Sequence, residues 1–240
     1  MYPALIFHSF NNNFNSDKFY DLRIESFISL INFISEKINP RKITITFDDG
    51  FKSIIPAVEI SLKKGYKTIV FIISDYIDKD GFLSEKDIKY LHSIGCKIGS
   101  HSKSHKDLSK VKNDILKTEL IESKKVLERI TGVKVNYFAF PYGSHNKLSI
   151  KKAKNIYKFN AISRPNFFKE KNIIGRISIN SFNCNKHDAV LKLLSNKICY
   201  KYLIRLILSY FLKLFLPNKT YIFLKNLITS NKSKDVFNGK

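Results

Sequence analysis

The sequence lacks the residue patterns that mark several common protein classes. Its 240 residues contain no tryptophan and only three cysteines, Cys96, Cys184 and Cys199. These cysteines form no CxxC pair and cannot all pair within one chain, which argues against a disulfide scaffold and for a reducing compartment. The sequence also has no zinc-finger spacing, no internal repeat and no basic block interleaved with aromatic residues. Nucleic-acid binding is therefore not predicted.

A secretory leader and a clean membrane span are also not found. The first ten residues, MYPALIFHSF, have neither a charged n-region nor a small-residue cleavage site. Residues 202–216 are strongly apolar, but Arg205 and Lys213 interrupt them, and a spanning helix needs about 20 predominantly apolar residues. We therefore expect a cytoplasmic protein.

Apolar periodicity predicts strands that alternate with helices. The predicted strands cover residues 4–8, 43–47, 68–73, 96–102, 135–140, 161–163 and 173–179. The predicted helices cover residues 27–34, 54–64, 84–94, 111–130 and 147–158. This alternation is the signature of βαβ units, so we expect an α/β fold with a parallel sheet or barrel. The polar motifs described below follow predicted strands, at the end where such folds carry their sites.

Basic residues outnumber acidic residues in the chain, and the C-terminal segment is both basic and apolar. The 42 Lys and Arg outnumber the 20 Asp and Glu, which gives a net charge of +22 and suits an acidic glycan or an anionic membrane as partner. The composition changes near residue 198, so we predict a main domain over residues 1–197 and a basic, apolar helical tail over residues 198–240. The tail fits an amphipathic helix on the inner membrane face or a final helix that covers the core of the main domain.

The first polar motif is TFDDG, residues 46–50. Its adjacent carboxylates, Asp48 and Asp49, repel each other, so a cation is expected beside them. One carboxylate can bind a metal while the other stays free as a base, and Gly50 permits a tight turn. An isolated DDG is more often a polar turn, but its position directly after a buried strand favours a site.

The second motif is HSKSH, in which His101 and His105 are four residues apart. Alone, the pair fits two surface histidines as well as it fits two metal ligands. Together with one aspartate, the two imidazoles complete a three-ligand site with an open position, which is the layout of a catalytic zinc. A metal in such a site activates water, whose proton the remaining carboxylate can take.

The third motif is FAFPYG, residues 138–143. Pro141 fixes the backbone before Tyr142, and Gly143 relieves the turn. A rigid turn with exposed N–H groups can serve as an oxyanion hole. An ordinary turn at the end of a strand is the other interpretation.

TFDDG, HSKSH and FAFPYG, in this order and at comparable separations, resemble the first three motifs of the polysaccharide deacetylase (NodB-like) family, carbohydrate esterase family 4. The opening ALIFHS is similar to the first strand of some members, and the resemblance covers roughly residues 4–180. It implies a distorted (β/α) barrel, here of about seven strands followed by the amphipathic helical tail. It also implies metal-dependent removal of N- or O-acetyl groups from sugars.

The resemblance assigns roles that the residues alone leave open. It implies that Asp48 is the catalytic base and that Tyr142 helps to stabilise the oxyanion through its N–H. The metal, with zinc as the expected ion, is then held by Asp49, His101 and His105.

The sequence departs from the family pattern at the groups that support the base. Many members carry an arginine in the third motif that braces the base, whereas residues 138–140 here are Phe-Ala-Phe. Arg176 or Arg164 are the candidates to supply that charge from elsewhere. The usual fourth motif, with its Asp-Trp, is absent.

The later LxxH motif that provides a catalytic acid in many members is also absent. His187 is the candidate for the acid, and His8 is its rival. His8 is otherwise a candidate for binding the substrate, together with Pro141 and Tyr142.

The sequence thus predicts a metal-dependent hydrolase that removes an N-acetyl or other N-acyl group from a carbohydrate. Because we expect a cytoplasmic protein that is peripheral on the inner membrane face, the substrate would be a lipid-linked sugar or a surface-glycan precursor. Two alternatives stay open. One is a non-catalytic module that binds a glycan or lipid on the same scaffold, and the other is a metal-dependent hydrolase of a non-sugar amide.

Overall fold

Parallel strands form the centre of the molecule. The computed structural model describes residues 4–11, 20–164 and 170–194. In these residues the strands are β1 (Ala4–Phe7), β2 (Ser9–Phe10), β3 (Asp21–Leu22), β4 (Thr44–Phe47), β5 (Lys67–Ile72), β6 (Lys97–Ser100), β7 (Tyr137–Ala139), β8 (Phe159–Ile162) and β9 (Ile173–Ser178). Strands β1 and β4 to β9 form a closed barrel, because β9 pairs back to β1, and every pairing is parallel. Strands β2 and β3 form a separate pair.

Helices connect most of the neighbouring barrel strands. The connecting helices are α1 (Ile24–Lys37), α2 (Ile55–Lys63), α3 (Glu85–Ser93), α4 (Asn113–Thr131) and α5 (Lys147–Ile156), and α6 (His187–Leu194) follows β9. Helix α1 shows why these segments are helical, since Phe27, Leu30, Ile31 and Ile34 recur at helical spacing and are all fully buried. Helix α4 ends at Gly132, whose left-handed backbone suits a glycine C-cap.

The predicted fold class is confirmed. Each predicted strand and helix of the barrel is present, with ends that shift by a few residues. The barrel is distorted, because the part of the β8–β9 connection that the structure describes contains no helix. The β2–β3 pair was not predicted, since a strand of two residues leaves no readable periodicity in a sequence. Helix α6 was not predicted either.

The strand register brings the three motifs to one end of the barrel. Phe7 pairs with Phe47, and Ser100 pairs with both Ile72 and Phe138. The residues that follow these strands therefore lie at the same mouth of the barrel. They include the ends of all three motifs and the histidine that follows β1.

The chain forms two compact units, Met1–Asn185 and Lys186–Lys240. The first unit holds the barrel, and α6 is the described element of the second. The predicted tail at residues 198–240 and its boundary lie outside the described residues. No helix in the described ranges is long and apolar enough to cross a membrane.

Candidate metal and catalytic site

The TFDDG turn directs its two carboxylates to different partners. Asp48 follows β4 and its N–H donates to the carbonyl oxygen of Phe7 on β1, at 2.9 Å. Asp49 and Gly50 then both adopt left-handed backbone, with φ of 70° and 84°. This sharp turn separates the adjacent side chains, so that Asp48 is almost completely buried while Asp49 stays partly accessible.

Asp48 is paired with Arg176, which reaches it from β9. The two terminal nitrogens of Arg176 donate to the two oxygens of Asp48 at 2.6 and 2.9 Å, and one of them also lies 3.3 Å from Thr46 Oγ1. Arg176 is completely buried, with its guanidinium over the ring of Phe71. Burial alone would raise the pKa of Asp48, but Arg176 and His101 outweigh it and hold that pKa below its usual value. Asp48 is therefore an oriented carboxylate that stays ionised.

His101 has a fixed tautomer. Its Nδ1 lies 2.8 Å from the carbonyl oxygen of Ala139. Because a carbonyl oxygen can only accept, Nδ1 carries the proton and Nε2 keeps a free lone pair. Burial lowers the pKa of His101 to about 4, so the ring is neutral near pH 7.

Asp49, His101 and His105 converge on one point. Asp49 Oδ1 lies 3.4 Å from His101 Nε2 and 3.3 Å from His105 Nε2, and all three donor atoms lie within 4.8 Å of one another. Ligands at roughly 2.0–2.2 Å from a tetrahedral zinc ion would stand about 3.3–3.6 Å apart, so the two shortest separations fit. Burial also lowers the pKa of His105. The donor set is therefore two neutral imidazoles and one carboxylate, which suits a divalent metal.

Asp49 ionises less readily than an ordinary aspartate. Burial and the charge of Asp48 raise the pKa of Asp49 to about 7, partly offset by Arg176. A divalent ion beside the carboxylate would favour its charged form. A divalent cation would thus both stabilise the ionised carboxylate of Asp49 and accept the lone pairs of the two histidine nitrogens.

The third motif forms one wall of the site. Tyr142 has left-handed backbone with φ of 58°, and its ring lies 4.6 Å from that of His105 while 71% of the residue is exposed. Gly143 packs so closely on Ser163 that an added Cβ would come within 2.7 Å of it. A cavity of about 330 Å³ opens here, lined by residues 142–145 together with Ser163 and Arg164.

Comparison with known proteins places this site in a family. A sequence profile described as polysaccharide deacetylase matches residues 35–157, just over half of the chain. The chain belongs to the polysaccharide deacetylase family. The matched region contains all three polar motifs and every predicted metal ligand, and the predicted family membership is confirmed.

Individual polysaccharide deacetylases are distant relatives of this chain. The peptidoglycan-N-acetylglucosamine deacetylase of Bacillus cereus is 28% identical over 107 residues, which are 44% of this chain and 38% of that protein. The structure of BC0361, a polysaccharide deacetylase from Bacillus cereus, superposes with a TM-score of 0.67 at 23% identity and covers 78% of this chain and 67% of that one. The deacetylase PplD of Streptococcus pyogenes gives a TM-score of 0.70 at 17% identity over 80% of this chain and 97% of that one. The chain spans at most half the length of the curated relatives that it matches.

An arginine on another strand, rather than one in the third motif, pairs with Asp48. Ala139 stands among the buried apolar residues of the barrel interior, and Arg176 on β9 contacts Asp48. Arg164, the alternative, is exposed at the cavity and does not pair with Asp48 among the described contacts.

The two candidates for a catalytic acid lie in different units. His8 follows β1 next to Asp48, its ring lies 4.3 Å from that of Tyr20, and its buried Nδ1 has no hydrogen-bond partner within the described part of the chain. Burial lowers the pKa of His8. His187 begins α6 in the second unit, so its role as the acid stays a prediction.

Sequence reasoning missed two groups that hold the predicted metal ligands in place. One is the carbonyl oxygen of Ala139, which no side-chain pattern reveals. The other is Glu119 on α4, which is 3% exposed and accepts hydrogen bonds from the loop that carries the histidines. Its signal was readable, because a glutamate lies on the same helix face as the buried Leu116 and Leu120, and a buried charge requires partners.

Proposed function

We propose that the chain is a metal-dependent hydrolase that removes an N-acetyl or related N-acyl group from a carbohydrate. One observation carries the proposal: two neutral histidines and Asp49 converge beside a second carboxylate, Asp48, which a buried arginine keeps separate and ionised. A site that holds both a metal and an independent base is suited to activating water against an amide.

The chain's own residues divide the chemistry between them. A divalent ion, for which we propose zinc, would polarise the acyl carbonyl and lower the pKa of water when it is bound. Asp48 takes the proton from the attacking water, and the fork of Arg176 holds its oxygens in place. The N–H of Tyr142 donates to the oxyanion as the carbonyl carbon becomes tetrahedral, and Pro141 fixes the turn that presents it.

The leaving amine requires a proton, for which we propose His8. His8 lies at the barrel mouth beside Asp48, and its unpartnered buried Nδ1 is available for a ligand. Because burial lowers the pKa of His8, its ring is neutral before the reaction. It would take up the proton of the attacking water from Asp48 and donate that proton to the sugar nitrogen as the C–N bond breaks. His187 is the alternative donor, and a normal rate in His187→Gln together with a low rate in His8→Gln would separate the two.

The substrate is proposed from the family and from the shape of the site. The peptidoglycan-N-acetylglucosamine deacetylase among the relatives acts on an N-acetylhexosamine, as its name states. The cavity beside Tyr142 is open to solvent and bordered by serine hydroxyls, which suits a sugar. The pairing of Asp48 with Arg176 weighs against a non-catalytic binding module, because Arg176 orients the proposed base even though the third motif carries no arginine.

We also propose that the protein is cytoplasmic and acts at the inner membrane face on a lipid-linked or surface-glycan precursor. The basic, apolar sequence after residue 198 supports this, since anionic lipids attract such segments by about 1 kcal/mol per Lys or Arg. The full chain is expected to sediment with anionic vesicles more than a truncation after Leu194. Equal sedimentation of the two proteins would contradict the membrane proposal and leave the hydrolase proposal intact.

The hydrolase proposal is tested with the purified wild-type chain. Acetate release is measured from N-acetylhexosamine oligosaccharides after the protein is stripped of metal and after zinc or cobalt is restored. We expect release that requires the metal. Bound metal without release from any sugar would favour hydrolysis of a non-sugar amide, and neither binding nor release would favour the binding module.

A further inference from the structure

A buried carboxylate outside the metal site holds the loop that joins the two histidine ligands. Glu119 lies on α4, and one of its oxygens accepts from the N–H groups of Lys103 and Ser104 at 2.9 and 2.8 Å. Its other oxygen accepts from the hydroxyl of Ser104. With Lys106 Nζ at 3.9 Å, the described hydrogen bonds and ion pairs of this carboxylate are all made with the segment between His101 and His105 or with its immediate continuation.

That loop has a backbone that would not hold its shape unaided. Ser102 and His105 are both left-handed, with φ of 68° and 61°. Such a conformation costs a residue with a side chain on the order of 1–3 kcal/mol and persists only where surrounding contacts determine it. The hydrogen bonds that Glu119 accepts lie between these two strained residues and are therefore placed to maintain both.

The two histidines depend on this loop to different degrees. The ring of His101 is fixed directly by the carbonyl oxygen of Ala139. The position of His105 is set through its backbone, whose N–H donates to Ser102 Oγ at 3.1 Å, and through ring contact with the exposed Tyr142. His105 is thus the ligand that moves if the loop relaxes.

We propose that Glu119 is a positioning residue that sets the metal affinity of the site through its hydrogen bonds to the 103–104 backbone, and so through the position of His105. The inference rests on the proposed metal-dependent function. It assigns Glu119 no contact with metal or substrate. Groups that orient metal ligands in this way typically change metal affinity by about 10–100-fold when they are removed.

Two conservative substitutions separate the hydrogen bonds of Glu119 from its charge. Glu119→Gln removes the charge, but its amide oxygen can accept from both N–H groups while its NH₂ donates to Ser104 Oγ. Glu119→Asp keeps the charge but is one methylene shorter, so the carboxylate no longer reaches the loop. If the hydrogen bonds set the metal affinity, Glu119→Asp should bind metal more weakly than Glu119→Gln.

The experiment is a titration of the metal-free, full-length variants with cobalt, followed through its visible absorption spectrum and by competition with zinc. We expect Glu119→Asp to weaken cobalt binding about 10–100-fold, with a spectrum altered by the loss of one imidazole. Glu119→Gln should stay close to wild type. Equal affinity in all three proteins, equal loss in both variants, or a larger loss in Glu119→Gln would each overturn the proposal.

A matched control distinguishes metal positioning from general weakening of α4. Glu128, on the same helix, accepts from the N–H of Val135 at 2.9 Å, so Glu128→Asp makes the same chemical change to α4 at a carboxylate with no described contact to the loop. We expect this variant to lose stability and keep its cobalt affinity. A parallel loss of affinity in Glu128→Asp would overturn the positioning role, whereas a wild-type chain that binds no cobalt would contradict the proposed function itself.

Discussion

Replacing Asp48 by asparagine is expected to lower kcat/KM for acetate release about 10²–10⁴-fold, the usual contribution of a general base. Metal affinity should stay close to wild type, because the three converging donor atoms belong to Asp49, His101 and His105. Asparagine keeps the shape of the side chain but cannot accept the proton of the attacking water. The measurements are steady-state acetate release and cobalt titration on the same preparation.

Asp49→Asn is the matched control, since it makes the same chemical change one residue away. It should weaken metal binding, and added metal should restore part of its activity, whereas no metal concentration should restore Asp48→Asn. Because asparagine at position 48 leaves the charge of Arg176 uncompensated, both variants are assayed at a temperature where each is shown to be folded. Acetate release by Asp48→Asn at the wild-type rate would contradict the assigned base.

The main features of the site could be predicted because its residues follow strands. Parallel strands end at one mouth of a barrel, so motifs after β4, β6 and β7 are brought together by the topology, whatever their separation along the chain. The convergence of one aspartate with His101 and His105 needed only that rule and the known preferences of divalent metals, whereas the choice of Asp49 rested on the family resemblance. The division of roles between Asp48 and Asp49 needed the left-handed turn, which sequence periodicity does not reveal.

The groups that support the site could be predicted less well, for reasons specific to each. Arg176 and Arg164 were equal candidates by position, although a charge inside the apolar strand IIGRIS already indicated a buried partner for Arg176. The role of Ala139 is carried by a backbone oxygen and leaves no mark on the side-chain pattern. His8 lies near Asp48 because β1 pairs with β4, and no local sequence pattern specifies that pairing.

Replacing Arg176 by methionine is expected to lower the free energy of unfolding by about 3–5 kcal/mol, as is typical when one partner of a buried ion pair is removed. The effect is large because Arg176 is completely buried and bonds both oxygens of Asp48. Without the guanidinium, burial would raise the pKa of Asp48, and an unoriented, protonated carboxylate cannot act as a base. Chemical denaturation of the metal-free variant measures the stability, and acetate release of the metal-loaded variant measures the activity.

Two further variants separate the effect of the Asp48–Arg176 ion pair from the effect of side-chain volume at position 176. Arg176→Lys keeps a charge but loses the two-pronged geometry, so it should be more stable than Arg176→Met while remaining less active than wild type. The double variant Asp48→Asn/Arg176→Met removes both charges and should lose less stability than the sum of the single variants. Strict additivity would show that the two side chains act independently. The carboxylate would then need no arginine, and the absence of a third-motif arginine would not be compensated from β9.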